Sequence, residues 1–170
     1  MLKKYPKIIV KIIIIGVAIT AIAIAYNLIS GAVDHQKLVS QFKKAEGKLV
    51  VEPNSDYDRK TVEYLEKERS NNSCVSKTIG HDDAWIYAIT WCVESHDGED
   101  YESIYELLGR LAYKATDNKI TSTEFMGDGG TPTAQQLFPY EIYQQYQKEL
   151  ESNILKTLDT AARTREASKK

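Results

Sequence analysis

Cys74 and Cys92 flank a turn at Gly80-His81-Asp82-Asp83. In a hairpin symmetric about Asp83, residues whose numbers sum to 166 face each other, and 74 with 92 is such a pair. Directly opposed strand residues have Cα atoms about 4.5–5.5 Å apart, a separation that a disulfide bridges. The bond would contribute on the order of 3 kcal/mol by restricting the unfolded chain. The alternative is two buried reduced thiols, each acting as a small hydrophobe. The C-x-x-C spacing that lowers a thiol pKa is absent, which argues against a redox-active pair. Two cysteines are also too few for a disulfide scaffold or a four-ligand zinc site.

The histidines suggest metal chemistry, but their spacing opposes it. His81-Asp82-Asp83 and His96-Asp97-Gly98-Glu99-Asp100 lie at opposite ends of the intervening segment. Fifteen residues span about 50 Å as a strand or about 22 Å as a helix. His35 lies far upstream. Each cluster taken alone has Asp at turn positions, where its side chain bonds the local backbone. Ser95-His96-Asp97 is adjacent in sequence, which is not triad geometry. Gly127-Asp128-Gly129-Gly130-Thr131-Pro132 lacks the Gly-Lys-Ser/Thr ending of a phosphate loop. Asp82 to Glu106 holds eight acids and no Lys or Arg. Its plain reading is a turn and a helix start, where acids are favoured. No catalytic, cofactor or metal site is assigned. An enzyme is the least favoured class, and a small hydrolase would draw on His81, Asp82 and Asp83 beside Trp85.

The surrounding chain has two characters. The net charge of −2 over 170 residues combines four Lys and no acid in residues 1–33 with 18 basic and 24 acidic side chains after them. An acidic body argues against nucleic-acid binding, which needs a basic face to displace counterions. Residues 12–33 are 22 positions without charge. As a helix they span about 33 Å, enough for a hydrocarbon layer of about 30 Å. We read them as a transmembrane signal anchor embedded in the lipid bilayer, with residues 1–11 as a cytoplasmic tail. A cleaved signal peptide is the rival, since Ala23-Ile24-Ala25 and Ser30-Gly31-Ala32 present small residues. Basic residues tie across the two flanks; the denser lysines of the tail and the cysteine pair favour an N-in orientation.

Residues 34–47 read as a helical stalk. Residues 48–162 read as one exported α+β domain and residues 163–170 as a frayed basic tail. Within the domain, Lys48–Glu52 reads as a strand and Ser55–Arg69 as a helix capped by Ser55. Cys74–Ile79 and Ala84–Val93 read as strands. Asp97–Ala115 reads as a helix on its i, i+3, i+4 spacing, Lys119–Phe125 as a strand, and Pro139–Ala162 as one long helix. The order β-α-β-β-α-β with a further helix is that of a ferredoxin-like antiparallel sheet. The alternative is a mostly helical body with residues 84–94 helical. The strand at 84–93 would be apolar on both faces, so the C-terminal helix is the expected lid over the second.

These features describe a single-pass protein of the inner (cytoplasmic) membrane, its C-terminal domain outside. That domain would make protein–protein contacts, with another envelope protein or by self-association. The competing reading is a periplasmic or secreted inhibitor or immunity-type binder released by cleavage. The candidate interaction surface comprises Asp82, Asp83, Trp85, Tyr140, Tyr143 and Tyr146. The tyrosines are included because Tyr is favoured at interfaces.

Overall fold

The computed structural model describes residues 5–68, 72–95, 102–126 and 133–169, with side chains from residue 20 onward except at 22, 27, 95, 102 and 103. The chain divides into two compact units, Met1–Gln41 and Phe42–Lys170. The first is a single helix, α1 (Tyr5–Val39). The predicted stalk helix therefore stops at Val39, where Gln41 N–H bonds Leu38 O and Ser40 Oγ bonds Lys37 O. Ile24, Tyr26, Leu28, Ile29 and Val33 are exposed along it. Among the described residues no helix is long and apolar enough to cross a membrane. Much of the 12–33 segment has side chains outside that description.

The second unit is α+β. It runs α2 (Ser55–Glu68), β1 (Asn72–His81), β2 (Trp85–Ser95), β3 (Glu102–Lys114), β4 (Lys119–Phe125), α3 (Ala134–Leu137), α4 (Tyr140–Glu151) and α5 (Ile154–Ala167). The strands form one antiparallel sheet in the order β1-β2-β3-β4. This is a meander and not the ferredoxin-like order. The difference comes from residues 102–114, expected as helix and found as β3. Tyr105, Leu107, Leu111 and Tyr113 satisfy a period of nearly two as well as the helical spacing. β2, apolar on both faces, supplies the tertiary context that selects the strand. The mostly helical alternative falls with it, since residues 85–95 are strand.

Helices cover both sheet faces. Ile86, Ala88, Leu111 and Ile120 pack with Tyr57 and Tyr64 of α2, and Leu65 lies against Cys74 and Cys92. On the other face Ile79, Tyr87, Ile89 and Leu108 meet Leu137, Phe138, Ile142, Tyr146, Ile154 and Leu158. The expected C-terminal lid is thus present, but as two helices. Asn153 adopts a left-handed conformation (φ 59°) between α4 and α5 and breaks the continuous helix foreseen at 139–162. The basic end is helical to Ala167 and not frayed. Arg165 Nε lies 2.9 Å from Glu66 Oε1, and Lys169 Nζ bonds Asn72 O at 2.8 Å.

Two local expectations change as well. Residues 48–52 form only an isolated bridge, Val50 with His81. The first turn of α2 is capped by Asn54 instead of Ser55: Asn54 Oδ1 accepts from Asp56 N–H (3.1 Å) and Tyr57 N–H (3.2 Å).

Candidate interaction surface

The disulfide forms as the hairpin register requires. Cys74 opposes Cys92, with Sγ atoms bonded and Cα atoms 4.1 Å apart. The sum-166 register holds from Asn72/Glu94 to Thr78/Ala88 and then shifts by one, leaving Ile79 as the extra residue of a bulge. Both cysteines are buried, at 0% and 1% exposure.

The turn residues face inward more than the sequence suggested. Asp82 is 4% exposed. Its carboxylate accepts four hydrogen bonds: Glu46 N–H at 2.8 Å, Ala84 N–H at 2.9 Å, Trp85 N–H at 2.8 Å and Tyr87 Oη at 2.6 Å. Burial, and then the bond to Asp82, raise the Tyr87 phenol far above its ordinary pKa. Asp82 is therefore a structural hub and not a surface contact. Asp83 is exposed, but its N–H bonds Glu46 O at 3.0 Å and its Oδ2 accepts from Lys48 N–H at 3.4 Å. Gly47, at φ +94°, lets this strap pass: a Cβ there would lie 1.8 Å from Asp83 Oδ2. The His81 ring stands edge-on to Tyr57 at 4.9 Å. Among the described residues no three of His, Cys, Asp or Glu are grouped to hold a metal.

Trp85 is half-buried. Its ring lies 3.9 Å from the Arg110 guanidinium carbon and 5.8 Å from Lys43 Nζ, and its Nε1–H donates to Glu46 Oε1 at 3.0 Å. Arg110 is only 4% exposed. Its Nε and Nη2 both donate to Glu124 Oε2, at 2.9 and 2.6 Å, while Nη1 has no partner among the described residues. The three tyrosines divide. Tyr140 and Tyr143 are half-buried around Phe42, at ring distances of 5.2 and 5.1 Å. Tyr146 sits in the core beneath α4. The segment from Phe42 to Glu46 touches both groups: Phe42 packs on Tyr140 and Tyr143, while Lys43 and Glu46 meet Trp85 and Glu46 N–H bonds Asp82. His96, Asp97 and the Gly127–Pro132 loop lie outside the described residues.

The sheet's two edges differ sharply, a contrast that sequence reasoning missed. β1 is closed by α2. Glu66 Oε1 accepts from Cys74 N–H at 3.0 Å, and Asp58 Oδ1 accepts from both Thr78 N–H and Thr78 Oγ (the latter at 2.6 Å). The spacings match: eight helical residues advance about 12 Å, and four strand residues about 13 Å. Burial raises the Asp58 pKa, only partly offset by these bonds and by Lys77. At Glu66 burial also pushes upward, but Arg165 and the Cys74 N–H outweigh it and the carboxyl is lowered.

β4 has no such cover. Met126 N–H bonds Leu108 O, which fixes Ser122, Glu124 and Met126, on this side of the register shift, as those bonded to β3. The N–H and C=O of Thr123 and Phe125 therefore point away from the sheet. No described group outside the sheet bonds them. Beside this edge lies a cleft of about 480 Å³ between α2 and the start of β4, floored by Tyr64 and Ile120 and ringed by Lys60, Lys67, Lys119, Glu63 and Glu68. On the neighbouring β3, Ile104 is 42% exposed. Comparison with protein-family models, curated proteins and solved structures gives no match.

Proposed function

We propose that this is a single-pass envelope protein, held in the cytoplasmic membrane by residues 12–33 with its N-terminus inside. Its exported domain makes protein–protein contacts. The observation that carries the reading is the buried Cys74–Cys92 disulfide, in a domain that follows a 22-residue uncharged segment with a lysine-rich flank. Disulfides persist in oxidising compartments outside the cytoplasm. The unguarded β4 edge supports a contact role, because an open edge offers backbone donors and acceptors to another chain.

The test is crosslinking in intact membranes followed by copurification and intact-mass measurement. The reading expects a chain that retains residues 12–33, sediments with membranes and yields a defined crosslinked species. A mature start at Tyr26 or Val33 would instead support the cleaved, inhibitor-like alternative. A clean monomer with free thiols would contradict both.

A further inference from the structure

We propose that β4 is the docking edge for an extended segment of a partner protein, which adds to the sheet as a fifth strand and places a carboxylate-bearing side chain in the cleft between β4 and α2. This inference rests on the contact function proposed above and specifies how the contact is made. Three observations meet here.

The first is the asymmetry of the edges. Two carboxylates of α2, at the helical spacing that fits alternate outward amides of β1, occupy two of that strand's outward donors, the N–H groups of Cys74 and Thr78. β1 is thereby closed to a second chain. Thr123 and Phe125 present their backbone groups outward with nothing bonded to them among the described residues.

The second is the backbone approach. Gly109 lies opposite Phe125 in the ladder, and a Cβ there would lie 2.3 Å from Glu124 O and 2.5 Å from the Phe125 ring. Glycine lets β4 lie close on β3, so its outward amides belong to a well-formed strand. Thr121, exposed and at the register shift beside Ala112/Tyr113, ends the flat stretch near the cleft.

The third is charge. Around the cleft, Lys60 is engaged by Asp56, and Glu63 by Arg59 at 2.8 Å. Lys67 and Lys119 line the cleft with Glu68 and have no ion-pair partner among the described residues, leaving the cleft one positive charge in excess. Tyr64 and Ile120 supply an apolar floor. A strand running along β4 gains main-chain hydrogen bonds for affinity and uses the adjacent cleft for selectivity, as strand-addition sites do. An acidic side chain flanked by an apolar one fits these walls.

The test uses the full-length protein in intact membranes. A photo-crosslinking amino acid is placed at Thr121 and, for comparison, at the exposed Glu151 and Thr160 on the C-terminal helices. Crosslinked peptides are identified by mass spectrometry. The expected result is a crosslink from position 121, and not from 151 or 160, to one acidic segment of another protein. Thr123→Pro removes an outward N–H that the sheet does not use, and should weaken that crosslink about tenfold. Lys67→Glu with Lys119→Glu, both exposed positions, should weaken it similarly while fluorescence and the disulfide stay unchanged. Crosslinks from 151 or 160 but none from 121 would overturn the inference and leave the contact function standing. A crosslink from 121 to the same segment of a second copy would replace the partner with self-association and overturn it. A crosslink from 121 that both variants leave at full strength would also overturn it. No crosslink at any position would remove the contact function itself.

Discussion

Replacing both cysteines by alanine removes a bond between residues 18 apart in sequence. In the loop-entropy treatment, closing a loop of that length in the unfolded chain is worth about 3 kcal/mol at 25 °C. The two sulfur atoms are also buried against Leu65 of α2, and losing them from a packed site adds about 1 kcal/mol. Cys74→Ala/Cys92→Ala should therefore lose about 4 kcal/mol, a large share of the 5–15 kcal/mol typical of a domain. With a urea m-value of about 2 kcal/mol/M, the midpoint falls by about 2 M. Trp85 and Trp91 are the only tryptophans and both lie on β2, so their fluorescence reports this sheet directly. Urea titration of the full chain in detergent, oxidised wild type against the double alanine variant, makes the measurement. The m-value should rise slightly, because the unlinked unfolded chain exposes more surface. A midpoint shift below about 0.5 M would refute the reasoning, since neither the loop term nor the packing term could then be as large as derived.

Tyr87→Phe removes one of four donors from Asp82 and should cost about 1.5–3 kcal/mol, the range for a bond to a charged acceptor; an unchanged urea midpoint would contradict the hub. Asp58→Ala should cost about 1–3 kcal/mol by leaving Thr78 N–H without an acceptor and Thr78 Oγ with only the Asn54 carbonyl at 3.3 Å, whereas Asp58→Asn keeps an oxygen in place and should cost much less. Asp58 has its folded pKa raised above 3.8, so the folded state binds the extra proton between the two values. Its contribution makes stability fall as pH rises through that window, and Asp58→Asn should remove that fall. Glu66 has the opposite sign: its pKa is lowered, so its stabilisation is present above about 4.5 and is lost as pH falls through the folded value. Glu124→Ala should cost about 3 kcal/mol, the low end for breaking a buried pair because Glu124 itself is 41% exposed, by leaving the buried Arg110 uncompensated, while Arg110→Met should cost less because the buried charge goes with it. Thermal melts of the two variants settle their order.

Some of this was legible in the residues and some was not. The cysteine pairing was legible because a short hairpin between alternating segments has few registers, and the bulge at Ile79 lies beyond the disulfide. The two-sided burial of β2 could be read from its unbroken apolar content. β3 was misread because Ile104, Leu108, Leu111 and Ala112 satisfy a helical period while neighbouring residues satisfy a strand period. Only the proximity of β2, a tertiary fact, chooses between them. Asp82 stands among the candidate surface residues, yet it is 4% exposed. Its spacing to Ala84 and Trp85 is that of an aspartate bonding backbone N–H groups two and three residues on, a local signal that was present. The guarded and unguarded edges were not legible, because which strand lies at an edge depends on sheet order. Once that order is known, the eight-residue spacing of Asp58 and Glu66 explains the closed one.

The central claim is a membrane-held, exported, disulfide-bonded domain. It is tested most directly by adding protease and a membrane-impermeant thiol reagent to spheroplasts that carry the native chain, with the outer barrier opened and the cytoplasmic membrane sealed, then measuring the mass of what remains with the membrane. The account predicts that residues 42–170 are cut from outside, that the membrane retains a fragment containing residues 12–33, and that Cys74 and Cys92 take up no reagent until reduced. A chain that stays whole until the cytoplasmic membrane itself is broken, and whose two cysteines then label without reduction, would contradict it.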